Sequence, residues 1–191
     1  MSAVFPSLPD TPNLSDVFRA HPGAIGPLTA LLDAVMRAPG PVGVSERELL
    51  AAYVSGLNAC AYCHGSHTGF AEALVVPAGL VGALLTDLDT APIEPRLRPL
   101  CRYAKVLTET PRRVTAADAQ AVFDAGWGED ALFTVVSVCA VFNMMNWIVE
   151  GTGCGVAEGD LARWAGTRFD RYTDWAEGAG LLPAAPSGQP G

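Results

Sequence analysis

Two cysteines and two histidines lie close together in one short segment of the chain: Cys60, Cys63, His64 and His67. In an α-helix, residues three, four and seven positions apart share one face, so these four side chains would form a narrow stripe. The thiolate is the nucleophilic form of cysteine, and a neighbouring imidazole can remove the thiol proton. The spacing therefore predicts a redox-active dithiol with a base beside it.

Composition restricts the setting in which this dithiol works. Half of the 191 residues are apolar, 17% are charged and the formal net charge is −8. That charge argues against nucleic acid and anionic membranes as partners, since both attract clustered Lys and Arg. Five cysteines without a secretory signal do not make a secreted disulfide framework. We expect a cytoplasmic protein that forms a single domain over 1–191, with no membrane-spanning helix.

Apolar residues recur at helical spacing along the chain and no period-two alternation stands out, so we predict an all-α multi-helix bundle. The first helix covers 15–36 and is interrupted near His21–Gly23. A Ser45–Glu48 capping box opens the second helix, which breaks near Gly56 and Asn58 so that Cys60 begins a new helix running to Leu74.

Further helices are predicted over 76–88, 95–108, 115–126, 130–150 and 159–175, and a disordered tail over 182–191. A second capping box at Thr115–Asp118 precedes an apolar helix, as the first one does, which indicates a faint internal duplication. We expect Cys101, Cys139 and the four tryptophans to be core or interface residues, and Cys154, between two glycines, to be exposed. Asn143 and Asn146 lie on an apolar helix and would need hydrogen-bond partners if buried.

The cysteine pair admits other interpretations. Cys60, Cys63, His64 and His67 are four possible zinc ligands, although adjacent turns of one helix do not easily surround one ion tetrahedrally. Cys60–His64 also matches the CxxCH string of c-type haem attachment, which normally requires export. Two buried cysteines spaced by chance remain a further possibility, because free cysteine is often a core residue.

The four residues Glu48, Cys60, Cys63 and His67 form the pattern E-x11-C-x2-C-x3-H. This pattern resembles the signature of the alkylhydroperoxidase D (AhpD)-like, peroxidase-related branch of the carboxymuconolactone decarboxylase superfamily. The segment Phe142–Asn146 is also similar to the FN-x-x-N helix of that family. The resemblance is strongest over 40–150, which would be the core of a single AhpD-like domain.

The resemblance implies a helical thiol peroxidase that reduces organic hydroperoxides and assembles as a trimer or hexamer without a cofactor. Cys63 would be the nucleophile that becomes a sulfenic acid, and Cys60 would resolve it as a disulfide. His67 would activate Cys63, and Glu48 would orient His67 in a proton relay. An external dithiol, lipoyl or thioredoxin-like, would reduce the disulfide.

Two residues differ from the best-known form of the pattern. Tyr62 stands where that form has histidine, and a phenol with a pKa of about 10 can only donate a hydrogen bond or shape the pocket at neutral pH. His64 is an additional imidazole, which we expect to face solvent. The alternatives to a peroxidase are a lactone enzyme of the carboxymuconolactone decarboxylase type, which needs no cysteines, and a zinc- or redox-sensing binding module.

Overall fold

The structure, a computed structural model, describes residues 4–183. These residues form ten α-helices and two 3₁₀ turns, and contain no strand. The helices are α1 (Leu14–Ala20), α2 (Ile25–Met36), α3 (Val44–Leu57), α4 (Ala61–Ala73), α5 (Leu80–Thr86), α6 (Arg98–Glu109), α7 (Ala116–Asp124), α8 (Glu129–Thr152), α9 (Asp160–Trp164) and α10 (Tyr172–Gly178). The predicted all-α bundle is confirmed.

Helix α3 lies at the centre of the bundle and positions the site. It packs against α4, α8, α6 and α5, and every residue from Arg47 to Ser55 is buried. Arg47 tolerates this burial because its guanidinium donates to the carbonyl oxygens of Val42 at 2.8 Å and Ala38 at 2.7 Å. These bonds fix the turn between α2 and α3, from which Arg37 reaches the centre of the fold.

Several predicted boundaries are corrected by local backbone chemistry. The box that opens α3 uses Glu46, whose carboxylate accepts from the Gly43 N–H at 2.5 Å, so the predicted Ser45–Glu48 box is wrong. Helix α5 begins at Leu80 rather than at residue 76, after Gly79 takes a left-handed φ of 78°. The helix predicted over 159–175 is two short helices separated at Gly166, whose φ is 80°.

Helix α8 is 24 residues long, and an 18-residue window within it reaches a mean hydropathy of 1.9. By length and composition alone it could cross a membrane. No helix of this kind was predicted from the sequence, because Thr, Ser and Asn interrupt the apolar runs of α8. In this fold α8 packs against α3, α6 and α2. Its apolar character therefore serves the bundle, apart from one outer face that includes Phe133 and Trp147, which are 71% and 73% exposed.

The chain end was predicted to be a disordered tail over 182–191. Residues 184–191 lie outside the described residues. Leu182 is partly buried against the main core, so packed structure extends at least one residue into the predicted tail.

Candidate active site

The α3–α4 junction presents the two cysteines. Helix α3 ends at Leu57, Ala59 adopts a left-handed φ of 56°, and Cys60 is the N-cap of α4. A non-glycine residue in that conformation costs about 1–2 kcal/mol. The predicted helix break is therefore confirmed, and Cys60 lies where the partial positive charge of a helix N-terminus favours a thiolate.

The two thiols influence each other's ionisation. A hydrogen bond from the Cys63 thiol lowers the pKa of Cys60. The same bond, together with burial, raises the pKa of Cys63. Of the reduced pair, Cys60 is therefore the thiol that ionises more readily, while Cys63 holds its proton more tightly and needs a base before it can act as a nucleophile.

His67 and Glu48 form a short buried contact between α4 and α3. The Nδ1 atom of His67 lies 2.6 Å from Oε2 of Glu48, whose side chain is 0% exposed. With Nδ1–H donating to the carboxylate, the other ring nitrogen, Nε2, carries the lone pair. Helix capping does not explain Glu48, because Glu46 performs that role. The described residues show no hydrogen bond from His67 to Cys63, but both side chains line one cavity.

Two residues that the sequence reading missed hold the other oxygen of Glu48. Arg37 Nη1 lies 2.7 Å from Oε1, and the Tyr172 hydroxyl donates to the same oxygen at 2.9 Å. Burial alone would raise the pKa of Glu48, but His67 and Arg37 outweigh it and the pKa is lowered. The carboxylate is thus fixed in its ionised form behind the imidazole. No local motif marks Arg37 or Tyr172 as a partner of Glu48. Tyr172 is 124 residues from Glu48 in the sequence.

A cavity of about 470 Å³ opens beside these residues and is lined by Tyr62, Cys63 and His67, among others. Most of its remaining wall is apolar or aromatic, including Phe18, Leu32, Phe70, Phe142, Met145 and Trp164. Cys60 is not part of the wall. The cavity is therefore suited to an organic molecule that meets the sulfur of Cys63 first.

Tyr62 forms part of this wall and is not a base. Its hydroxyl accepts a hydrogen bond from the Leu14 N–H at 3.5 Å, and its ring packs edge-on against Trp164 at 5.0 Å. Burial raises the pKa of Tyr62 to about 12. The side chain thus contributes its ring to the wall of the pocket.

His64 does not join the site, and the prediction that it faces solvent is wrong. It is partly buried, and its Nδ1 lies 3.1 Å from the carbonyl oxygen of Ala52. This bond ties α4 to α3. The predicted stripe of four side chains is therefore divided: His64 braces the helix pair, while Cys63 and His67 face the cavity.

The two asparagines of α8 find their partners within the chain. Asn58 Nδ2 donates to Oδ1 of Asn143 at 3.0 Å and of Asn146 at 2.8 Å. Asn146 in turn donates to the Ser55 hydroxyl at 3.1 Å. The side-chain amide of Asn146 also works against the other influences on Cys63 and lowers the pKa of that thiol. The network holds the junction and the cysteine pair against α8.

The remaining cysteines divide into two kinds. Cys101 and Cys139 lie in the main core, as predicted. Cys154 is buried rather than exposed, and it packs in a small cluster with Cys60 and Cys63. Within residues 4–183, no group of three or more His, Cys, Asp or Glu side chains is placed to hold a metal ion. The four ligands of the zinc interpretation are therefore not assembled into a site.

Two crystal structures are similar to this fold. One is the alkylhydroperoxidase AhpD core of an uncharacterized peroxidase-related protein from Ralstonia eutropha JMP134, with a TM-score of 0.71, 20% identity and coverage of 76% of this chain and 77% of that one. The other is an uncharacterized peroxidase-related protein from Silicibacter sp. TM1040, with a TM-score of 0.71, 22% identity and coverage of 78% and 80%. No protein-family model and no curated protein matches the sequence. The chain therefore has the fold of the alkylhydroperoxidase AhpD core.

Proposed function

We propose that this protein is a thiol-dependent peroxidase that reduces organic hydroperoxides with the Cys60–Cys63 pair. One observation carries the proposal. His67 makes a buried hydrogen bond with Glu48 and lines the same cavity as Cys63. A thiol, a nearby imidazole and a carboxylate behind it follow the logic of nucleophile, base and orienting group. The peroxidase-related names of the two similar structures support the same class of activity.

In the first step, His67 Nε2 takes the proton of the Cys63 thiol, and the thiolate attacks the outer oxygen of the hydroperoxide. The new S–O bond forms as the O–O bond breaks, and the departing alkoxide takes the proton from His67 to leave as an alcohol. Glu48 remains ionised and holds Nδ1–H throughout. Cys63 is left as a sulfenic acid.

In the second step, the Cys60 thiol gives up its proton and attacks the sulfur of the sulfenic acid. The S–O bond breaks, and the hydroxyl group takes up that proton and leaves as water. The lowered pKa of Cys60 suits this role because the attacking group is the thiolate. An external dithiol then reduces the Cys60–Cys63 disulfide and is itself oxidised to a disulfide. We propose a lipoyl or thioredoxin-like donor in the cytoplasm, where such dithiols are kept reduced.

The assignment of Cys63 as the nucleophile rests on access. Cys63 lines the cavity and is 4% exposed, whereas Cys60 is absent from the wall and 0% exposed. The raised pKa of Cys63 makes a base necessary at the moment of attack, which is the role given to His67. The apolar wall favours alkyl or aryl hydroperoxides over hydrogen peroxide.

The test of this assignment is to trap the sulfenic acid. Reduced Cys60→Ser protein is treated with cumene hydroperoxide and dimedone, and the labelled residue is identified by peptide mass spectrometry. We expect dimedone on Cys63 alone, with Cys101→Ser as a matched variant that forms the Cys60–Cys63 disulfide and takes no label. Absence of label in Cys60→Ser, or equal label on Cys139, would refute the peroxidase. If Cys60 is labelled in Cys63→Ser while Cys63 is not labelled in Cys60→Ser, the two roles are reversed.

We also propose that the protein is a homo-oligomer that pairs through the outer face of α8. Phe133, Ala140 and Trp147 are exposed and lie seven residues apart, so they share one face over four turns. A row of exposed apolar side chains along one helix face is a surface that a second copy of the chain could cover. Light scattering should give a mass above that of one chain for the wild type, and a lower mass for Trp147→Asp; a monomeric wild type would refute this assembly.

A further inference from the structure

A third sulfur lies beside the proposed redox pair. Cys60, Cys63 and Cys154 belong to one small packed cluster, separate from the main core that contains Cys101 and Cys139. The apolar members that complete this cluster are Leu8, Val17 and Val149. Of the three cysteines outside the proposed pair, only Cys154 therefore packs in the same cluster as the pair.

The end of α8 fixes the position of Cys154. Gly153 has a left-handed φ of 73°, its N–H donates to Glu150 at 3.2 Å, and the Cys154 N–H donates to Val149 at 3.0 Å. This is the Schellman arrangement, in which the residue after the glycine packs back against the last turn of the helix. The N–H of Gly155 then donates to Pro12 at 3.1 Å, which ties the following segment to the N-terminal part of the chain.

The charges of Cys154 and of the pair also influence each other's ionisation. Burial is the largest cause of the raised pKa of Cys154, and charge on Cys60 and Glu150 adds to it. Cys154 in turn contributes to the raised pKa of Cys63. Cys154 is 9% exposed, more than either member of the pair, and the exposed Val156 lies two residues further along the chain. Of the three cysteines in the cluster, Cys154 is thus the most exposed.

We infer that Cys154 is a third redox-active thiol, which exchanges with the Cys60–Cys63 disulfide to form a Cys60–Cys154 disulfide. The Cys154 sulfur attacks Cys60, the Cys60–Cys63 bond breaks, and Cys63 leaves with the proton that Cys154 gives up, so no further oxidant is consumed. In the cell this step rests on the proposed function, which supplies the first disulfide. Its consequence is that Cys63 regains its thiol, while Cys154, at the end of α8, takes its place in the disulfide.

The test uses an oxidant that is not a peroxide, so that it does not depend on peroxidase activity. Cys63→Ser protein is reduced and treated with diamide, an azo compound that takes up two hydrogen atoms from two thiols. Free thiols are then alkylated in denaturant and the disulfides are mapped by mass spectrometry. We expect the loss of two alkylatable thiols and an intramolecular Cys60–Cys154 disulfide, with Cys101 and Cys139 still reduced.

Two matched variants and one wild-type measurement complete the experiment. Cys63→Ser/Cys154→Ser should keep all its thiols, whereas Cys63→Ser/Cys101→Ser should still form the Cys60–Cys154 bond. If Cys63→Ser does not fold, the same mapping of diamide-treated wild type should find Cys60–Cys154 beside Cys60–Cys63. The inference is overturned if Cys60 and Cys154 both remain alkylatable in folded Cys63→Ser, or if wild type yields only Cys60–Cys63. A failed dimedone test with a positive diamide test would refute the peroxidase and leave this exchange standing.

Discussion

Two groups of cysteines in this molecule are buried to a similar degree but lie in different surroundings. Cys101 on α6 and Cys139 on α8 are enclosed by the main apolar core, and desolvation raises the pKa of each to about 12. Cys60 and Cys63 lie at a helix N-terminus, next to a cavity and an ordered polar network.

The difference shows that burial by itself does not decide whether a thiol can react. Desolvation disfavours every thiolate, but in the second group hydrogen bonds distribute the charge, and the pKa of Cys60 falls instead of rising. The second group also has an imidazole on the same cavity wall, held by a carboxylate. The polar neighbours, not the exposed fraction, separate a candidate catalytic thiol from a core thiol.

The largest effect should come from removing one thiol of each group in turn. Cys63→Ser should lower kcat/KM for cumene hydroperoxide by on the order of 10³-fold or more, because the nucleophile is lost. Cys139→Ser should remain within a few fold of wild type in the same assay, measured with a dithiol as reductant. Similar losses in the two variants would remove the distinction between the groups.

Glu48→Gln should have the next largest effect, since it leaves the buried Arg37 without its counter-charge. We expect a loss of about 3 kcal/mol of unfolding free energy and a fall of about 10²-fold in peroxide-dependent oxidation of Cys63. Denaturant unfolding and single-turnover thiol loss measure the two effects. Glu46→Gln, the matched change at the neighbouring cap residue, should cost less than about 0.5 kcal/mol, because glutamine also serves at this position of a capping box, and should leave the oxidation rate near wild type.

The same variant should change the response to acid. The pKa of Glu48 is below its ordinary value of 4.5, so its contribution to stability is complete above that pH and is lost as the pH falls through the lower, folded-state value. Below pH 4.5, wild-type stability should therefore fall more steeply with decreasing pH than that of Glu48→Gln, by at most about 1.4 kcal/mol per pH unit. Parallel acid limbs in urea titrations would contradict an ionised Glu48.

A smaller effect is expected from Tyr172→Phe, which removes one hydrogen bond to Glu48 and leaves the ring in place. A bond to a charged acceptor contributes about 1.5–3 kcal/mol, so unfolding free energy should fall by about 1.5 kcal/mol. Because Arg37 and His67 still hold the carboxylate, Cys63 oxidation should slow by no more than about 10-fold. A loss as large as that of Glu48→Gln would move the orienting role to Tyr172.

The smallest effect is expected for Cys101→Ala. Shortening this core side chain should cost about 1 kcal/mol of unfolding free energy and leave peroxide reduction unchanged, as measured by urea unfolding and turnover. A variant with impaired turnover and native stability would show that the core group is coupled to the cavity.

Much of the fold was predictable from local patterns. Helical periodicity and the Thr115–Asp118 capping box located most helices, and the glycine and asparagine after Val54 marked the break before Cys60. The errors arose where competing local signals occur together. Two glutamates two residues apart both fit a capping box, and only the buried side of α3 decides that Glu46 caps while Glu48 turns inward.

The candidate site was predictable as far as it is local in sequence. The spacing of Cys63 and His67 on α4 indicated a shared face, and the structure places both on the cavity. Arg37, Tyr172 and Cys154 were missed in these roles because each reaches the site through packing of distant elements, and no spacing rule relates them to Glu48 or Cys60.

The most direct measurement is site-resolved oxidation of the wild-type protein. Fully reduced protein, freed of reductant, receives one equivalent of cumene hydroperoxide, and the redox state of each of the five cysteines is followed by quenched mass spectrometry. We predict rapid disulfide formation within Cys60, Cys63 and Cys154, while Cys101 and Cys139 stay reduced. Oxidation of all five at similar slow rates, or a pair that remains reduced, would contradict the assignment of this cavity as a peroxidase site.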